Sequence, residues 1–590
     1  MNSFQERVAT YCQLPIADCR LPVVSWEGRN SNDEAWIYPG LHLPPAGRYF
    51  GKSFNTVSQG GIWPKDLTLR VYGGDAQEVL AVPSTGVRLG ELYVTRLPGG
   101  CVLLKVIGYE YVSSVHEQFL AEMSKEDLGA TPFRLSYSGS PTTLVARLKP
   151  LVQWEGGRMH PVRECLAIGT ELVSPSTSDL EFISKKEGID FGNIRSGYQV
   201  LPVHLKLDPE KVISGHVLIA ATTGRGKSNL LKTLLWSLMN FPAVGVVVMD
   251  PHREYFEILN RHPNSSSMLV SFSPNPSQGE VKLVISTELI RPNHLSGVVN
   301  LTEAQEREAD LLYRQPKSAG EDVEASAETR ISRGYGKKWI EALVSGEATE
   351  TLGKEDSAAA ISRYTLSRKL SRVLSLDQGS SEGYGVFRIP SSTSRGDLTG
   401  EHFIKHVLDA VGEKKIVVID TSTLSEEAEL LIGNMVSASL LYERMSKKQR
   451  GEKLTPAAVV LEEAPRVLSS DSAPNAYMRI AREGRKFSVG LIAVTQIISV
   501  IPEDILANLN TKVYLGMASG KERRAAVDNA LSDMSSEDEE LVRLDAGEAI
   551  VTSSVLGFAV PVKVQLVDEL MAAGSKENIR AMFPGERFPE

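Results

Sequence analysis

The chain has 590 residues, 42% hydrophobic and 23% charged, which is ample for roughly two to four domains with real cores. A net charge of −9 and a pI near 5.8 exclude a globally basic, histone-like binder but leave room for a locally basic channel. Four cysteines (Cys12, Cys19, Cys101, Cys165) without paired metal-ligand spacing exclude a structural zinc reading. With no apolar run long enough to span a bilayer and no signal peptide, a soluble protein of the reducing cytoplasm, away from membranes, is expected.

Residues 1–190 read as β-rich. Leu67–Tyr72 alternates before Gly73-Gly74, Glu91–Arg96 alternates before Pro98-Gly99-Gly100, and Cys101–Ile107 follows. Short strands divided by Gly/Pro turns predict a small barrel or sandwich. From about residue 191 the pattern changes. Val217–Ala220 is an apolar strand leading into Ala221-Thr-Thr-Gly-Arg-Gly-Lys-Ser228, and Asn229–Leu238 reads as a helix. Strand, small-residue loop, Gly-Lys-Ser and helix make a phosphate-binding loop. Thr223, Gly224, Arg225, Gly226, Lys227, Ser228 and Asn229 are its candidate nucleotide contacts. Backbone N–H groups and the helix N-terminus face the phosphates, Lys227 adds a point charge, and the Ser228 hydroxyl is a Mg²⁺ ligand.

Val244–Asp250, Lys415–Asp420, Ala457–Leu461 and Val489–Gln496 are apolar throughout and end in a polar residue. Such runs predict a parallel sheet covered by helices, with Asp250, Asp420, Glu462 and Gln496 along one edge. Glu462 is expected to serve Mg²⁺ through water, Glu463 to polarise the attacking water, and Gln496 to sense the γ-phosphate or that water. Asp250 could pair with Lys227 in the empty site or hold Mg²⁺ waters. Residues 285–405 interrupt the core (191–284 and 406–565) as a charged, Ser-rich, largely helical insertion. Its Lys337, Lys338, Arg363, Arg368, Lys369 and Arg372 present basic groups either to a phosphate backbone or simply to solvent. Residues 566–590 read as a C-terminal arm.

Four stretches, His216–Asn229, Met249-Asp-Pro-His-Arg-Glu-Tyr255, Val460-Leu-Glu-Glu-Ala-Pro465 and Ile480-Ala-Arg-Glu-Gly-Arg-Lys-Phe-Ser-Val-Gly-Leu491, resemble the HerA branch of the HerA–FtsK motor ATPases. The resemblance covers about residues 200–565, and Ala546–Val551 is similar to the family's closing strand. It implies a RecA-like P-loop core, an N-terminal β-barrel, a homo-hexameric ring, and ATP- and Mg²⁺-dependent movement along double-stranded DNA. It also implies a separate nuclease or other effector partner, in DNA end processing or anti-phage defence. A neighbouring subunit's arginine often completes the site of such rings. Arg479, Arg482 and Arg485 are spaced three apart; the resemblance favours Arg485, then Arg482, and pairing with Glu483 or Asp504 is the structural alternative.

Three positions depart from the family pattern: Ala221 and Arg253 stand where Gly is usual, and Pro465 where His is usual. Arg253 near the phosphates would alter nucleotide affinity, and Pro465 would stiffen the loop behind Glu463. Two readings compete with a translocating motor. One is a ring whose ATPase organises and regulates a partner effector. The other is a nucleotide-binding assembly protein with little turnover, against which the full set Lys227, Ser228, Glu462 and Glu463 weighs.

Overall fold

Leu69 and Val71 point inward and their neighbours outward along strand β1 (Thr68–Gly74), as alternation requires of a half-buried strand. The computed structural model describes residues 68–84, 86–113, 142–314, 335–350, 357–376, 385–390 and 402–572. Expectations placed on residues 1–67, on 573–590 and on the intervening stretches lie outside the described residues. After β1 come β2 (Val79–Pro83), β3 (Leu92–Leu97), β4 (Gly100–Ser113), β5 (Thr142–Glu155), β6 (Arg158–His160) and β7 (Glu171–Val173). They run in the order β2-β1-β7-β3-β4-β5-β6, and β2 also pairs with β5, with Leu80 opposite Arg147. That last pairing closes the sheet into a barrel and leaves β6 outside the closure. Val79, Tyr93, Leu104 and Leu148 fill its interior.

The second sheet begins with the hairpin β8 (Ile189–Ser196) and β9 (Gln199–Leu207). In chain order follow β10 (Val217–Ala220), helix α1 (Lys227–Asn240), β11 (Gly245–Asp250), β12 (Leu269–Ser273), β13 (Val281–Lys282) and β14 (Ile285–Ser286). Helices α2 (Glu303–Tyr313), α3 (Trp339–Val344) and α4 (Ser357–Val373) precede β15 (Phe387–Arg388), which pairs with β14. Then come α5 (Phe403–Gly412), β16 (Ile416–Asp420), α6 (Glu426–Gln449), β17 (Ala457–Leu461), α7 (Ala476–Glu483), β18 (Val489–Thr495), β19 (Thr511–Leu515), α8 (Asp538–Arg543), β20 (Glu548–Ser553) and β21 (Val560–Lys563). The 12-stranded order is β13-β12-β16-β11-β17-β18-β10-β19-β20-β21-β8-β9. Pairings are parallel from β13 to β19 and antiparallel beyond. β10, β11, β16, β17 and β18 are buried along their whole length. Helices cover both faces of such strands, and the fold is a RecA-like α/β core joined to a β-barrel.

The insertion is not a separate body. Trp339, Leu366 and Leu370 belong to the same core cluster as Val247 and Met249, and Trp339 donates its indole N–H to the Ile290 carbonyl at 2.9 Å. Two of its expected basic contacts are internal instead. Arg363 is buried and pairs with Glu308 at 2.7 Å, and Lys369 Nζ binds the Asn300 carbonyl and Gln305 Oε1. Arg368 and Arg372 do share an exposed face of α4, beside Ile361 and Tyr364.

Barrel and core meet through buried charge. Lys105 on β4 reaches Glu540 of α8 at 2.5 Å and Glu537 at 3.4 Å, and Arg195 of β8 reaches the same Glu540 at 2.6 Å. Burial works against ionising Glu540, but Lys105 and Arg195 outweigh it and hold its carboxyl below the ordinary 4.5. A depressed folded value means stability that is present above about pH 4.5 and lost as pH falls through the folded value. Glu540→Gln leaves Lys105 and Arg195 undercompensated and is expected to cost about 3–5 kcal/mol. Thermal unfolding followed against pH checks this: the variant's midpoint should be lower at neutral pH and fall less steeply than wild type below pH 4.5.

Candidate nucleotide site

Parallel pairing places the C-terminal ends of β17, β18 and β10 next to one another, with Leu461 opposite Ala493 and Ala220 opposite Thr495. The loop after β10 turns on Gly224 (φ 78°) and Gly226 (φ 99°), left-handed conformations that glycine adopts without a Cβ clash. Ala221 is buried, lies outside the left-handed region and donates its N–H to the Thr495 carbonyl, so a methyl group replaces the usual hydrogen without distorting the turn. Gly226 caps α1, whose first residues are Lys227 and Ser228. The free N–H groups of that first turn are the anion-binding element.

Lys227 is half-buried. Burial pushes its amine below the ordinary value, against the pull of the Glu463 and Glu462 carboxylates. The expected Lys227–Asp250 pairing is not formed. Asp250 is wholly buried and accepts the backbone N–H groups of Glu254 at 3.0 Å and Tyr255 at 2.9 Å, which fixes the turn after β11. Glu254 instead pairs with Lys232 of α1 at 2.6 Å.

Glu462 accepts a hydrogen bond from the Tyr255 hydroxyl. Burial raises its pKa, and the nearby Glu254 and Asp250 charges add to the rise. A carboxylate desolvated among other acids favours a cation beside it. One hydroxyl (Ser228) and one such carboxylate suit Mg²⁺, which keeps several waters and shares substrate phosphates. Glu463 sits at φ 49°, unusual for a side chain with a Cβ, and Pro465 then opens a short helix over Pro465–Leu468. Gln496 Nε2 donates to Glu463 Oε1 at 3.1 Å, while Thr223 Oγ1 donates to Gln496 Oε1 at 2.6 Å.

Other candidates have different places. The Arg225 guanidinium binds the Leu544 carbonyl at 2.9 Å, and Asn229 binds the Gln565 carbonyl and the Val567 N–H. Their side chains are committed to the far wall of the loop, leaving their backbone groups for a nucleotide. Arg482 pairs with Asp504 at 2.9 Å, the structural alternative for that residue, and Arg479 with Glu483 at 3.6 Å. The three arginines do not share one helix: α7 ends at Glu483 and a 3₁₀ turn carries Arg485. Arg485 is exposed, without an ion-pair partner among the described residues, beside His216, whose pKa burial and Arg485 push down to about 4. His216 precedes β10 and the Arg485 turn precedes β18, whereas the phosphate loop follows β10. The 7 residues of β18 separate the two ends by roughly 20 Å. Arg485 therefore lies at the opposite end of the sheet from its own phosphate loop.

Arg253 also departs from expectation. It takes φ 54°, and its guanidinium turns to Asp420 and Glu280, each at 2.8 Å. Its work is to neutralise two buried carboxylates. Tyr255 had no role assigned from sequence, although it closes the Asp-Pro-His-Arg-Glu-Tyr stretch; its reach across to β17 depends on strand order, which local pattern does not carry. Arg253→Ala is expected to destabilise the fold by about 2–3 kcal/mol, the partly exposed guanidinium being screened. Equilibrium unfolding and binding of a fluorescent ATP analogue check this: stability should fall while nucleotide affinity holds within about twofold, and the reverse pattern would return Arg253 to the phosphates.

Residues 189–440 match the family model for the central domain of helicase HerA. The chain is 25% identical over 537 residues to the DNA double-strand break repair helicase HerA of Pyrococcus furiosus, covering 83% of this chain and 89% of that protein. It is 26% identical over 449 residues to the helicase of the same name from Sulfurisphaera tokodaii, covering 74% and 81%. Among solved structures, VirB4 of Thermoanaerobacter pseudethanolicus aligns at 18% identity and a TM-score of 0.41, over 65% of this chain and 98% of that one.

Proposed function

We propose that this chain, whose residues 189–440 match the central domain of helicase HerA, is an ATP-driven ring motor that translocates along or unwinds double-stranded DNA. The observation that carries this reading is the meeting of Lys227, Ser228, Glu462, Glu463 and Gln496 at three adjoining strand ends. Length-spanning similarity to proteins named as DNA double-strand break repair helicases supports DNA as the track.

In this reading the loop N–H groups and Lys227 hold the β- and γ-phosphates of ATP. Ser228, and Glu462 through water, would hold Mg²⁺, which neutralises phosphate charge when bound. Glu463 takes the proton of the attacking water and Gln496 orients both. Arg485 cannot reach the site of its own subunit, so it completes a neighbour's, and hydrolysis then depends on a homo-oligomer, a hexamer by family resemblance. Arg368 and Arg372, exposed together on α4, are candidates for phosphate-backbone contact, which carries no base information. A separate nuclease or other effector partner, in end processing or anti-phage defence, completes the proposal. If the ring instead organises and regulates that effector, its turnover should ignore DNA.

Three measurements test the reading. ATPase rate with and without linear double-stranded DNA, with particle mass in the same buffer, should give a ring-sized particle with stimulated turnover; a ring indifferent to DNA favours the effector-organising alternative. Glu463→Gln should bind ATP yet lose turnover by about 10²-fold or more, whereas Lys227→Ala should weaken both. Doping Arg485→Ala subunits into wild-type rings should depress activity beyond the mutant fraction, and a proportional loss would assign Arg485 a structural role.

A further inference from the structure

We infer that the Thr223 hydroxyl is a positioning group for the general base, acting through the side-chain amide of Gln496. The inference rests on the assignment of Glu463 as base. Its geometry is a relay across three neighbouring elements: Thr223 in the loop after β10, Gln496 at the end of β18, and Glu463 at the end of β17. Thr223 Oγ1 lies 2.6 Å from Gln496 Oε1, and Gln496 Nε2 lies 3.1 Å from Glu463 Oε1.

The chemistry of the three groups fixes the direction of the relay. An ionised carboxylate only accepts, so the amide must turn its NH₂ toward Glu463. That leaves the amide oxygen facing the phosphate loop, where it needs a donor, and the Thr223 hydroxyl supplies one. Were the amide reversed, its oxygen would face a carboxylate, an arrangement with no proton between two acceptors. Glu463 thus sets the amide orientation, and the Thr223 hydroxyl anchors the amide in it by donating to the oxygen that faces the loop.

Glu463 needs that restraint. Its backbone sits at φ 49°, a region that a residue with a Cβ occupies only when its surroundings impose it. A general base must also lie within hydrogen-bond reach of its water, and small misplacements are costly. The relay begins in the segment that binds phosphate, so the loop that holds ATP also sets the aim of the base.

Thr223→Val keeps the shape of the side chain and removes the donor; Thr223→Ser keeps the donor and removes a methyl group. Steady-state ATPase of the full chain should give a kcat roughly tenfold lower for Thr223→Val, with KM for ATP within about twofold of wild type. Thr223→Ser should recover most of the lost turnover. The double variant Thr223→Val/Gln496→Ala should be no slower than Gln496→Ala alone, because both changes break one relay. Wild-type kcat in Thr223→Val, a rise in KM at unchanged kcat, or a serine variant as slow as the valine variant would each overturn the inference. If any of these accompanies an inactive Glu463→Gln, only the relay fails. Normal turnover in Glu463→Gln removes the base assignment and the relay with it.

Discussion

Buried parallel strands can satisfy their backbone only by pairing side by side in one direction, and that constraint places every other feature of the site. Once β17, β18 and β10 are neighbours, Glu462, Glu463, Gln496 and the phosphate loop must emerge together at one edge. The same constraint sends the Arg485 turn to the other edge, beside His216. A single subunit thus carries a phosphate-binding end and an arginine-bearing end, separated by the length of its own strands. Two copies arranged head to tail would bring unlike ends together, and such heterologous contacts close into rings or run on as filaments.

Much of the core was legible because buried parallel strands announce themselves. Val244–Asp250, Lys415–Asp420, Ala457–Leu461 and Val489–Gln496 needed no long-range information to be read as strands, and each forms one, trimmed by at most a residue or so at its ends. In the barrel, β1, β3 and the first half of β4 were legible as short apolar-rich runs between Gly-rich turns, whereas β2, β5, β6 and β7 were not singled out. Strand order was not legible. Nothing local to Ile189–Leu207 says that this hairpin caps the far end of the core sheet, next to β21.

Side-chain partners were the least legible, because they depend on that order. Arg363 and Lys369 have the composition of a solvated helix face, yet one is sealed against Glu308 and the other caps the Asn300 turn. Arg253 was expected near the phosphates, and nothing local to it announced the left-handed backbone or the two carboxylates brought to it from β16 and the β12–β13 connection. Asp250 was expected to pair with Lys227 or hold Mg²⁺ waters and has the task of holding a turn. In each case the residue type was read correctly as charged; for the arginines and Lys369 what it faces came from elements dozens to hundreds of residues away, and for Asp250 from the turn that follows it.

The seam formed by Lys105, Arg195, Glu537 and Glu540 bears on how this architecture can be recombined. A barrel held by an apolar patch could be exchanged for any barrel of similar size. Here the barrel's Lys105 joins Glu537 and Glu540, the latter shared with the core's own Arg195, in a place water does not reach. A graft from another protein must bring a cation to that same point or leave Glu537 without Lys105 and Glu540 with Arg195 alone, so a barrel exchanged without that charge weakens the joint it is meant to form.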